Sequence, residues 1–171
     1  MTITPDYQGL CAEIKTEFPS FNIAKKNDSW FMKLVGLVLG QQFMTSYVTT
    51  IYHTVYVPDG WETFGDDDRC SILRHERVHM RQSRTLTYPV YALLYLLILF
   101  PVGLSYCRAK LEQQAYAESL QAFADYGIDY NDDKRRAWYL KQFVSSAYGY
   151  MWPFPKTVSR WFDEAVARVK A

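Results

Sequence analysis

The chain has 171 residues, 49% of them hydrophobic and 17% aromatic, which is enough to bury a sizeable core in one domain spanning residues 1–171 and excludes general disorder. Nineteen Lys plus Arg against eighteen Asp plus Glu leave a formal charge of +1, so no single-sign field is present to hold a nucleic-acid backbone. Cys11, Cys70 and Cys107 are odd in number, widely spaced and free of any Cys-x-x-Cys, which argues against a disulfide framework or a thiolate zinc site and points to a reducing compartment.

The first residues, MTITPDYQGL, have neither a basic start nor an apolar run, so no Sec-type signal is expected and the cytoplasm is the expected location. Residues Tyr7 to Phe18 and Ser29 to Leu39 read as two short helices, ended near Pro19 and Gly40. From Tyr47 to Val57 the run YVTTIYHTVYV is β-branched and aromatic, stopped by Pro58-Asp59-Gly60, and reads as one long strand or a tight hairpin. Asp66, Asp67 and Asp68 are expected to supply the N-cap and first-turn acids of a helix running to about Ser83. An apolar helix follows from Tyr88 to about Phe100, then a break at Pro101-Val102-Gly103. A long helix from Ser105 to Tyr126 is next, with Asp125-Tyr126-Gly127 as its C-terminal cap. Asp132 to Ala147 and Lys156 to Val169 complete a mainly α fold with a small β element, with the aromatic-Pro stretch Tyr148 to Pro155 between them.

The Asp66 helix carries the one His-Glu-x-x-His run, His75-Glu76-x-x-His79. With three His and seven Glu in 171 residues, about 0.002 such runs are expected by chance. Residues four apart on a helix stand nearly above one another, so His75 and His79 can place two ring nitrogens on one zinc ion. Glu76, one residue further round, can lean toward a water at the same ion as its general base. The plainer reading is a solvated helix whose histidines only satisfy hydrogen bonds. Arg74, Arg77 and Gln82, which flank the motif, are expected to make helix-surface contacts.

A catalytic zinc usually takes three protein ligands, so a third must come from elsewhere. Downstream, Glu112 opens the run EQQAYAES on a predicted helix, and this Glu-x-x-Ala-Tyr resembles the glutamate-bearing helix of gluzincin metallopeptidases. The resemblance covers roughly Thr49 to Ser119 and leaves both termini outside it. It implies a zincin-like fold, zinc ligands His75, His79 and Glu112, Glu76 as general base, and peptide-bond hydrolysis on a peptide or protein substrate. The sequence departs from the family at Tyr116, where gluzincins commonly have an Asp that orients a ligand histidine. Glu118, rotated about 240° from Glu112 on a helix, and His53 in the strand region are the alternative ligands.

Between Arg84 and Arg108 no residue is charged, long enough an interval to raise a membrane span. A single span would put Glu112 on the side opposite His79, so a hairpin broken at Pro101-Val102-Gly103 is the expectation, buried or dipping into a membrane. Tyr88, Tyr91, Tyr95 and Tyr106 suit either setting. The strand around Thr49 to Val57 can present an edge to an extended substrate, and Tyr148, Tyr150, Tyr116 and His53 are the candidate oxyanion donors. The rival function is a zincin-fold binding or regulatory protein without turnover, membrane-associated or not. A structural zinc site is disfavoured because such sites usually use four ligands rich in Cys. Cys11 and Cys70 read instead as buried small side chains.

Overall fold

A computed structural model describes residues 2–96, 105–145 and 150–170. The chain divides into two compact units, Pro5–Met80 and Met1–Thr4 with Arg81–Ala171. Among the described residues it is mostly helical, with one small three-stranded sheet.

In the Pro5–Met80 unit, α1 (Tyr7–Glu17) starts where the Asp6 carboxylate accepts from the Gly9 N–H at 2.8 Å. Strand β1 (Asn22–Lys25) follows, a strand with no counterpart among the sequence expectations. Next come α2 (Trp30–Leu39), whose N-cap Ser29 accepts from Met32 N–H, and the short α3 (Gln41–Ser46). Of the two readings of the Tyr47 to Val57 run, the hairpin holds: β2 (Thr49–Ile51) pairs antiparallel with β3 (Thr54–Val57), turning at Tyr52 with a φ of 56°. Strand β1 pairs parallel with β3, giving the order β1-β3-β2. The Thr54–Val57 half of the expected substrate edge is therefore interior to the sheet, bonded on both sides, and only Thr49–Ile51 remains at a margin. Val55 and Val57 bury with Ile14, Phe18, Phe21, Trp61, Leu73 and Met80 into one core.

Helix α4 (Asp66–Leu86) is continuous through the point of division and runs three residues past its expected end. Asp66, Asp67 and Asp68 all lie in its first turn, where their charge favours the helix N-terminus. The N-cap is Gly65, whose carbonyl accepts from Arg69 N–H at 3.0 Å, so the capping role expected of the aspartates falls one residue earlier. Arg77 on α4 ties back to α1, pairing with Glu17 at 2.7 Å and Glu13 at 3.3 Å, as expected of a surface contact.

In the second unit, α5 (Tyr88–Leu96) packs against α6 (Tyr106–Asp125), and α6 and α7 (Asp133–Val144) both pack against α8 (Pro155–Lys170). Helix α6 closes as expected at Gly127: with φ 71° it lets its own N–H reach Ala124 O and the Ile128 N–H reach Phe123 O. That is the paired bonding of a Schellman cap, which only a left-handed residue permits. Tyr116, Leu120, Tyr139, Phe143, Met151, Val158 and Phe162 form the core of this unit. The expected break at Pro101-Val102-Gly103 lies outside the described residues. No helix among the described residues is long and apolar enough to cross a membrane.

Candidate metal centre

The spacing of the His-Glu-x-x-His run does on α4 what helical geometry requires. His75 Nε2 and His79 Nε2 stand 3.2 Å apart, with ring centroids 4.9 Å apart. Two nitrogens on a tetrahedral zinc at about 2.0–2.1 Å lie about 3.3–3.4 Å from each other, so the observed pair matches one edge of that shell. His79 is buried and His75 half-buried.

His75, His79 and Glu112 each offer one ligand atom, and these atoms all lie within 4.8 Å of one another; this is the group of metal-ligating type found among the described residues. Neither Glu118 nor His53 belongs to it. The donor set, two imidazoles and a carboxylate, is of the kind that zinc takes.

Glu112 is 2% exposed on α6, and a buried carboxylate needs partners. One is the Tyr95 hydroxyl of α5, which donates to Glu112 Oε1 at 2.5 Å. Burial, and then the neighbouring Glu112 charge, push the Tyr95 phenol well above its ordinary range, so it stays a protonated donor. Gln82 fixes the same stretch of α6: its amide donates to Leu111 O at 3.0 Å and to Gln114 Oε1 at 2.9 Å. Expected on the helix surface, Gln82 is instead buried, because it stands one turn past His79 and its amide satisfies a carbonyl beside Glu112. Sequence reasoning missed Tyr95, and only the uncharged interval around it hinted that a hydroxyl there would need a buried partner.

Glu76 is buried, 6% exposed, on the turn between the two histidines. Its carboxylate attracts Lys26, a lysine only 1% exposed at the end of β1. Burial, opposed in part by Glu76, pushes the Lys26 ammonium down to about 8. Lys26 Nζ donates to Phe43 O at 2.6 Å and sits 3.6 Å from the centre of the Phe43 ring. No sequence feature marked this lysine.

The remaining candidates fall elsewhere. His53 Nδ1 bonds Ser20 Oγ at 2.6 Å and its ring stacks on Tyr52, which is the local packing role open to a lone strand histidine. Tyr116 is buried with its ring edge-on to Trp138, Tyr139 and Phe143, in the aromatic core. Tyr150 is 46% exposed, and Tyr148 lies outside the described residues. Cys70 is buried, Cys11 partly buried and Cys107 exposed, and none is in a disulfide. A surface groove lined by Leu140, Pro155, Ser159 and Asp163 contains none of the site residues. Compared with protein-family models, with curated proteins and with solved structures, the chain matches none.

Proposed function

We propose that this chain is a zinc-dependent peptidase of gluzincin type, with His75, His79 and Glu112 as metal ligands and Glu76 as general base. The observation that carries the reading is the convergence of two imidazoles and one carboxylate within 4.8 Å, with a second carboxylate on the intervening turn. When bound, the ion supplies the Lewis acidity that brings a water's pKa toward about 7. Glu76 takes the proton from the attacking water on a carboxylate oxygen, then returns it to the leaving amine nitrogen as the peptide bond breaks. The Thr49–Ile51 strand is a sheet margin that could align an extended peptide through main-chain hydrogen bonds. Three free thiols fit a reducing compartment, and we assign the protein to the cytoplasm.

The test is Glu76→Gln, assayed for metal content and for cleavage of a mixed peptide library. A peptidase keeps its zinc and loses turnover. A metal-bearing parent chain that cleaves nothing, with Glu76→Gln indistinguishable from it, contradicts the reading and leaves a binding protein on a zincin-like frame.

A further inference from the structure

We propose that Tyr95 is a positioning residue for the metal centre, its hydroxyl holding the Glu112 carboxylate in the orientation that meets the two histidines. The inference rests on the metal site just assigned and goes beyond its ligand set. A glutamate side chain has three rotatable bonds, and a ligand that must be frozen as the ion arrives binds more weakly than one frozen beforehand. The Tyr95 phenol supplies that restraint through a short bond, 2.5 Å to Glu112 Oε1.

The phenol is itself held. Its ring stacks on Tyr91 one turn earlier on α5, with centroids 5.5 Å apart and planes 30° apart. From α6 the Arg108 guanidinium lies 4.8 Å from the Tyr95 ring centre, one turn before Glu112 on the same helix. Tyr95 is therefore clamped between its own helix and the helix that carries the ligand. Ring packing alone would be served equally by phenylalanine; what phenylalanine cannot supply is the donor on Glu112. Partners of this kind set ligand orientation and basicity, and their removal typically lowers metal affinity by about 10–100-fold.

The experiment uses the full chain stripped of metal, with zinc affinity measured by competition against a chromophoric chelator and the cobalt(II) absorption spectrum recorded as a second readout. Parent, Tyr95→Phe and Glu112→Ala are compared. Tyr95→Phe is expected to lose about 10–100-fold in zinc affinity and to change the cobalt spectrum, with far-ultraviolet circular dichroism unchanged. Parental affinity and spectrum in Tyr95→Phe, alongside loss of binding in Glu112→Ala, overturn the role of Tyr95 alone. Equal binding by the parent and Glu112→Ala, or none by the parent, overturns the metal site beneath it. Should Tyr95→Phe not fold, the parent chain decides: its downfield Tyr95 hydroxyl proton resonance shifts when zinc is added if the proposal holds, and an unmoved resonance in the zinc-loaded protein refutes it.

Discussion

Replacing Lys26 by Met tests the electrostatics next to the proposed base with little change of shape, since both side chains are long and unbranched. A lysine at about 8 in the fold and 10.5 in the unfolded chain has its charged form disfavoured by folding by about 3 kcal/mol. Below about pH 8 the lysine is protonated in both folded and unfolded chains, and the folded state carries the whole penalty. Between about 8 and 10.5 the folded chain has released the proton and the unfolded chain has kept it, so stability from this group rises with pH. Above 10.5 both are neutral and the penalty is gone. Met also leaves the Phe43 carbonyl without its 2.6 Å donor and removes the cation from the Phe43 ring, together roughly 1–4 kcal/mol, but most of that difference is common to all pH values. The quantity to read is thus the slope. From pH 7 to pH 10 the parent is expected to gain about 2–3 kcal/mol relative to Lys26→Met in urea unfolding followed by circular dichroism. Profiles that run parallel within about 0.5 kcal/mol refute a buried, charge-penalised Lys26.

Two further outcomes follow from burial. Phe162 is fully buried against Tyr139, with ring centroids 5.6 Å apart, so Phe162→Ala is expected to destabilise by about 3–5 kcal/mol in urea melts; a loss below about 1 kcal/mol contradicts the core assigned to α8. Cys107 is exposed and Cys70 is 1% exposed, so a thiol reagent should modify Cys107 in the native protein and Cys70 only after denaturation, as peptide mass mapping would read. Prompt native labelling of Cys70 contradicts the packing around α4.

Helices α1, α2, α4, α6, α7 and α8 were legible from helical periodicity and from end signals such as Pro19, Gly40 and Gly127, and the structure adds Asp6, Ser29 and Asp132 as start caps. Strand β1 was not, since Asn-Ile-Ala-Lys has no strand-like pattern of its own and is a strand only through its parallel pairing with β3, some thirty residues on. Helix α3 is six residues long, too short for periodicity to register. At the site, His75, Glu76 and His79 were legible because their spacing is local to one helix, whereas the burial of Gln82 and Lys26 and the bond from Tyr95 to Glu112 depend on what other elements bring against them. Glu112 stands between: nothing local separates it from Glu118, and resemblance to a helix type had to do so before the fold placed it in the group with the two histidines.

Metal content by native mass spectrometry of the parent, Glu112→Ala and Glu118→Ala tests the central claim most directly. The account predicts one zinc per chain in the parent and in Glu118→Ala, and none retained by Glu112→Ala. Zinc retained by Glu112→Ala and lost from Glu118→Ala, or a parent chain that takes up no zinc, contradicts it.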